Sequence, residues 1–267
     1  MIREMTMILG LTSACATAAG NPGKAAVAWI SSSAACAPGG TVQTAIRMEI
    51  DEGWHTYWLN PGEAGMKTRV EWRLPEGWSA SGLAHPVPRR FSTSGLAGFG
   101  YEGTVWFPVT LTAPADFEGT ATLKGKISWL ACNDGGCIPG EAELSLDVRA
   151  GSAPPGADAP AVLDALRKIP QPQDAWLRLG VAEKPGLLVL TIAARSERRF
   201  DPERYEVFPA TPQVIDPAAP FRFTPKGAEW TAELPKSEYA GSPVKRLTLV
   251  FGGKGAEEPI ELTWEVP

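Results

Sequence analysis

The sequence holds only two histidines, His55 and His85, and only four cysteines among 267 residues. A tetrahedral zinc site needs four nitrogen or sulfur ligands in close groups, and so sparse a supply disfavours one; no metal and no cofactor is expected. Beyond residue 30 no apolar run approaches the roughly 20 residues that a membrane helix requires, so any membrane-crossing step falls to another protein. Positive charge is not in excess either: the formal net charge is −5 and the isoelectric point lies near 5.3. Without a broad cationic surface the chain is a poor match for phosphate backbones, which argues against nucleic acid as a partner. Long helical periodicities are scarce, whereas glycine (28) and proline (25) are abundant, the composition of short strands joined by tight turns. What is plentiful is hydrophobic sequence, 44% of all residues, enough for two domains of ordinary size to bury a core each.

Met1-Ile2-Arg3 is followed by an apolar stretch from Met5 to Ala19, and Ala16-Thr17-Ala18 offers small residues for cleavage. A signal peptide is expected over residues 1–20, although Glu4 dilutes its basic start, and with it export. Cys15 stands one residue too far from Leu11 for a lipoprotein signal.

From residue 25 to 150 the pattern is β. Val42, Thr44, Ile46, Met48 and Ile50 alternate with polar residues, as do Val105, Phe107, Val109 and Leu111. The same period recurs in Leu123, Ile127 and Trp129 and in Ala142, Leu144, Leu146 and Val148, so these are half-buried strands. About seven such strands with turn signals between them predict an immunoglobulin-like sandwich. Gly151 to Pro160 is proline-rich and marks a boundary. A short helix is predicted after it, with Val162, Leu163, Leu166 and Ile169 on one face. Residues 187–192, 206–208, 221–223, 230–234, 247–251 and 260–266 then read as strands of a second sandwich spanning 160–267. That half contains neither cysteine nor histidine, so a spacer or docking role is expected of it. The fold expected is all-β: two immunoglobulin-like β-sandwich domains joined by a proline-rich linker and a short helix.

Cys132-Asn-Asp-Gly-Gly-Cys137 follows directly on Ile127-Ser-Trp-Leu-Ala131 and precedes Ile138-Pro139-Gly140. Residues that tolerate positive φ can reverse the chain here and bring the two sulfurs within bonding reach. Three readings stand: a redox-active pair, a structural staple, or two ligands of a zinc site. A loop this short removes only about 2 kcal/mol of unfolded-state entropy, against about 4.7 for a loop of ~100 residues, so a purely structural bridge would be better placed elsewhere. Exposed, strained disulfides are the labile or catalytic kind. Asp134 lies between the cysteines and Glu102 beside the segment from Phe91 to Tyr101; a nearby carboxylate could raise a thiol pKa or relay a proton, although turn chemistry alone accounts for Asp134. Cys36 is left over once residues 1–20 are removed. It is either a free or intermolecular thiol or a small buried apolar residue.

Four segments taken together resemble a known family. Gly53-Trp-His-Thr-Tyr-Trp-Leu-Asn-Pro-Gly62, Val87-Pro-Arg-Arg-Phe91, Gly100-Tyr-Glu-Gly103 with Phe107-Pro-Val109, and Trp129-Leu-Ala-Cys-Asn-Asp-Gly-Gly-Cys-Ile-Pro-Gly140 are similar, in order, to the N-terminal periplasmic domain of the DsbD thiol:disulfide interchange family and its ScsB-like relatives. The resemblance implies a periplasmic domain, related to cytochrome c biogenesis, whose Cys132–Cys137 disulfide is reversible. Its electrons would come from a thioredoxin-like domain or membrane electron carrier and pass to oxidised periplasmic proteins. It implies that Cys137 forms the mixed disulfide with partners and that Cys132 resolves it. His55 and Tyr57 match two aromatic positions beside the pair, His55 standing where better-known members have tyrosine. The loop from Phe91 to Tyr101 matches a segment that caps the disulfide, and Phe91 or Phe99 is the expected covering ring. The membrane core and thioredoxin-like domain of the longer members are not in these 267 residues, so separate partners or a longer chain would supply those steps.

The function expected is thus thiol-disulfide exchange by a protein-disulfide reductase. The alternatives are a non-catalytic immunoglobulin-like binding module with a structural disulfide and, because ScsB-like relatives are associated with copper tolerance, a metal-handling protein.

Overall fold

The structure is a computed structural model that describes residues 16–17, 23–195, 200–253 and 258–266. Twelve strands make up its first part: β1 (Ala16–Thr17), β2 (Ala25–Ser31), β3 (Ala35–Cys36), β4 (Thr41–Ile50), β5 (His55–Gly62), β6 (Arg69–Arg73), β7 (Ser79–Ala80), β8 (Arg89–Thr93), β9 (Leu96–Tyr101), β10 (Thr104–Thr112), β11 (Thr120–Asn133) and β12 (Gly136–Ala150). One sheet runs β1-β2-β4-β10-β7. The other runs β3-β12-β11-β5-β9-β8, with β6 pairing alongside β11.

The alternation read in the sequence sets this register. Val42, Thr44, Ile46 and Met48 of β4 lie opposite Leu111, Val109, Phe107 and Val105 of β10, and all eight are buried. The polar member is satisfied: Thr44 Oγ1 accepts from the Trp29 indole at 3.0 Å and donates to the Val109 carbonyl at 2.8 Å, as a buried hydroxyl must. Trp29, Trp129, Leu123, Ile127, Leu144 and Val148 close the core from the facing sheet and β2.

The signal segment expected over residues 1–20 lies outside the described residues, except that Ala16–Thr17 pair with β2 at Trp29 and Ala28. Cys15 lies outside them too. The proline-rich stretch is tied to the first sandwich rather than loose: Gly151 N–H donates to the Cys36 carbonyl and Gly156 N–H to the Ser32 carbonyl. It leads into α1 (Ala159–Arg167), which has proline in its first turn. The face expected of this helix is corrected. Ala159, Val162 and Ala165 are buried, Val162 against Ala28, Ile30 and Ala45, whereas Leu163 is 44% exposed. The docking surface, made by Ala28, Ile30 and Ala45 with Trp106 beside them, seats a narrow alanine–valine stripe.

Beyond α1 come β13 (Gln171–Pro172), β14 (Leu177–Lys184), β15 (Leu187–Ala194), β16 (Glu206–Pro209), β17 (Thr224–Lys226), β18 (Glu229–Pro235), β19 (Arg246–Gly252) and β20 (Ile260–Glu265). They form sheets ordered β13-β20-β19-β16 and β14-β15-β18-β17 around a second core that includes Leu177, Leu190, Ile192, Leu249, Phe251 and Leu262. Two expectations are corrected here. Residues 221–223 are not a strand: the Phe221 and Phe223 rings stack on one another, and pairing begins only at Thr224. β14 was not foreseen, although Leu177, Leu179 and Val181 alternate.

The first core does not end with the first sandwich. Phe208, Ala210 and Val250 belong to it, and Phe208 meets Trp58 and Phe99 edge-on at 6.2 and 6.0 Å between ring centres. Each such ring buries roughly 150–250 Å², about 4–6 kcal/mol on the transfer scale. Among the described residues no helix is long and apolar enough to cross a membrane.

Candidate functional site

β11 and β12 form one long hairpin whose turn is Asp134-Gly135, so Cys132 and Cys137 lie directly opposite each other. Their Cα atoms are 4.1 Å apart and the sulfurs are bonded at 2.00 Å. That close spacing is the kind found at non-hydrogen-bonded positions of an antiparallel ladder, where facing side chains approach most nearly. Asn133 shapes the turn by accepting the Gly135 N–H at 2.8 Å, and Gly136 alone of the four intervening residues takes a left-handed φ, 142°. The two cysteines are not equivalent. Cys132 is fully buried, paired through its backbone with His55 of β5, and Cys137 is exposed at the hairpin tip.

A second hairpin lies over the first. β8 and β9 are joined at Ser94-Gly95, both with positive φ (52° and 83°), as a tight two-residue reversal requires. The segment read as a loop from Phe91 to Tyr101 is therefore a hairpin, held by its strand ladder. At its tip the Ser94 N–H donates to Asp134 Oδ1 at 3.1 Å, which ties it to the cysteine turn. Phe91 packs on the His55 ring at 3.9 Å between centres and on Tyr57 at 5.7 Å. His55 Nε2 lies within hydrogen-bonding distance of Tyr57 Oη (3.4 Å) and Thr93 Oγ1 (3.3 Å). Burial lowers the His55 pKa, with Glu102 and Asp134 opposing; burial also raises the Tyr57 pKa. Between the cap tip and Cys137 runs a groove of about 240 Å³ bordered by Tyr57, Phe91, Leu96, Asp134 and Gly136.

Of the expected site residues, Cys132, Cys137, His55, Tyr57, Phe91 and Asp134 converge. Phe99 and Tyr101 do not. Phe99 is fully buried against Trp58 and Phe208, and Tyr101 turns into the sandwich, donating to the Pro86 carbonyl at 2.8 Å and meeting Phe107. The physical reason is strand alternation: on β9 these two side chains share the face turned away from the site. Phe91 is the ring beside the disulfide. Cys36 is buried, with its thiol pushed up by burial. His85 packs on Phe107, its Nδ1 sealed and unpartnered, and burial with nearby Lys67 lowers its pKa to about 4. Among the described residues no three His, Cys, Asp or Glu side chains converge as a metal site would need.

Thr93, Ser94 and Leu96 were missed. Their signal was the Ser94-Gly95 pair between two short β-like runs, a turn dipeptide that marks a hairpin.

Residues 26–149 match the family model described as thiol:disulfide interchange protein DsbD, N-terminal. The fold as a whole is similar to the crystal structure of the N-terminal periplasmic domain of ScsB from Proteus mirabilis. That likeness has a TM-score of 0.68 at 20% identity and covers 95% of this chain and 99% of that one. Spo0M, the sporulation control protein from Bacillus subtilis, aligns over 91% of both chains at 13% identity with a TM-score of only 0.25, too low to bear on the fold. No curated protein matches the sequence. The cross-strand disulfide, the aromatic cap beside it and the family match coincide on the same stretch of sequence, and residues 26–149 form a domain like the N-terminal domain of DsbD.

Proposed function

We propose that this protein is a periplasmic thiol-disulfide oxidoreductase that takes electrons from a thioredoxin-like domain or membrane electron carrier and passes them to oxidised exported proteins. The observation that carries the reading is the inequality of the two cysteines: an exposed Cys137 bonded to a buried Cys132, beneath an ordered cap. In the reducing half-reaction a partner thiolate attacks Cys137 Sγ and the Cys132–Cys137 bond breaks. Cys132 leaves as the thiolate and takes up a proton. The partner's second thiolate then attacks its own sulfur in the mixed disulfide and releases Cys137, so two electrons have moved and the partner leaves as a disulfide. In the second half-reaction Cys137 attacks a substrate disulfide, and Cys132 resolves the adduct by re-forming the internal bond. Attack on a disulfide is in line with the bond being broken, so the accessible sulfur is attacked and the buried one departs.

His55, Tyr57 and Phe91 act by shielding. Tyr57 and Phe91 border the groove on the cap side of Cys137 and His55 packs behind Phe91, so a partner approaching from that side must displace Phe91 or the cap tip. On this reading residues 25–150 form the exchange domain and 160–267 a second, thiol-free sandwich domain that follows the proline-rich linker. The signal segment expected over residues 1–20 fits the same compartment.

The test is exchange with a reduced thioredoxin-like protein under anaerobic conditions. Oxidised protein is expected to become reduced with two thiols appearing per chain, while a Cys132→Ser/Cys137→Ser variant consumes none. A disulfide that stays intact against excess reduced thioredoxin-like protein would leave only the binding-module reading.

A further inference from the structure

Arg90 stands next to Phe91 on β8 and takes no part in the chemistry above. Side chains alternate across a strand, so Phe91 and Thr93 face His55 while Arg90 points out of the site, toward the second group of sheets. There its guanidinium donates to the Val207 carbonyl at 2.6 Å and to the Pro217 carbonyl at 3.1 Å. It also lies over the rings of Phe99, Phe208 and Phe221, at 4.9, 5.2 and 5.9 Å. β5, two strands along the same sheet, is also held to the second group, where its buried Asn60 donates to the Pro209 carbonyl at 2.6 Å.

These contacts set the two sides of the cap against each other. On the site side its tip is held by the exposed Ser94–Asp134 hydrogen bond, the Thr93–His55 contact at 3.3 Å and ring contacts. Behind it stand two charge-assisted bonds, one of them exposed, and the Phe208 and Phe221 rings, the stronger fastening of the two. Because Arg90 and Phe91 are adjacent, β8 cannot lift Phe91 away from His55 without disturbing the guanidinium.

We propose that Arg90 is a positioning residue: by fastening the back of the cap hairpin to residues 207–217, it sets how often Phe91 uncovers the Cys132–Cys137 disulfide. The second group of sheets then contributes to the exchange reaction without a thiol of its own. This consequence rests on the redox reading of the pair, whereas the anchoring does not.

The experiment compares the full chain with Arg90→Leu, Arg90→Lys and Ile192→Val variants. It reads amide hydrogen exchange across residues 91–97 and the second-order rate of disulfide reduction by dithiothreitol. Arg90→Leu is expected to raise both by about tenfold, the factor that corresponds to losing roughly one charged hydrogen bond. Arg90→Lys keeps the charge but not the fork, and both readouts are expected to fall between parent and Arg90→Leu; if the leucine variant fails to fold, the lysine variant carries the comparison. Ile192→Val loosens the second core away from the cap and is expected to leave both within about twofold of the parent. Cap exchange and reduction rate unchanged in both Arg90 variants would overturn the proposal. So would an equal rise in Ile192→Val, which would reduce Arg90 to a contributor to general stability. A parent disulfide that no thiol reductant opens would end the redox reading and, with it, the claimed control of access, while the exchange data would still decide the anchoring.

Discussion

A Cys132→Ser variant incubated with a thioredoxin-like partner that keeps only its attacking cysteine, activated as a mixed disulfide with thionitrobenzoate, is expected to accumulate a mixed disulfide through Cys137, while Cys137→Ser accumulates about a hundredfold less. The first variant keeps the exposed sulfur and lacks the one that would resolve the adduct. The second keeps only a fully buried sulfur, and an opening cost of about 2.7 kcal/mol to expose it suffices for that ratio. Non-reducing electrophoresis with mass spectrometry of the adduct checks it. Equal trapping, or the reverse order, would overturn the assignment of roles and leave the redox reading of the pair standing.

The largest loss of stability from a small substitution is expected at Gly100. A Cβ there would lie 1.8 Å from the Thr56 carbonyl oxygen and 2.9 Å from its carbon, backbone atoms that cannot swing aside. Thr56 sits between His55 and Tyr57 and pairs with Tyr101 of β9, so the strain falls on the ladder that carries the cap. Gly100→Ala should cost about 3 kcal/mol or more, with a fall in Tm on the order of 10 °C by calorimetry. Gly98→Ala is the informative contrast. The three atoms its Cβ would approach most closely all belong to the Phe91 ring, at 2.3 to 3.0 Å, and a ring can move. Its expected effect is a displaced Phe91 and faster disulfide reduction, with the fold kept. Indistinguishable Tm values for Gly100→Ala and the parent would refute this account of the β5–β9 contact.

How legible these features were follows from the range of the interactions involved. Period-two alternation in residues 42–50 and 105–111 places β4 opposite β10, because burial of one face leaves a single register. The cysteine hairpin was legible for a local reason: Asn-Asp-Gly-Gly reverses the chain in two residues. Phe91 was legible through resemblance. Phe99 was not, because its destination, Phe208, is more than a hundred residues away and no local pattern encodes that contact. Arg90 was hidden for the same reason: an arginine in Pro88-Arg-Arg-Phe91 reads as a solvated charge until the carbonyls of Val207 and Pro217 are brought beneath it. Leu163 was misplaced because helical spacing names an apolar face but not the surface that receives it, and here the receiving surface fits alanine and valine.

The most direct measurement is the equilibrium reduction potential of the Cys132–Cys137 pair, titrated against dithiothreitol and glutathione buffers with the thiols trapped by alkylation. A midpoint above about −300 mV is expected, since such a bond can be opened by a thioredoxin-like donor and closed again on a substrate; a midpoint below that value would mark a structural disulfide and contradict the electron-transfer function.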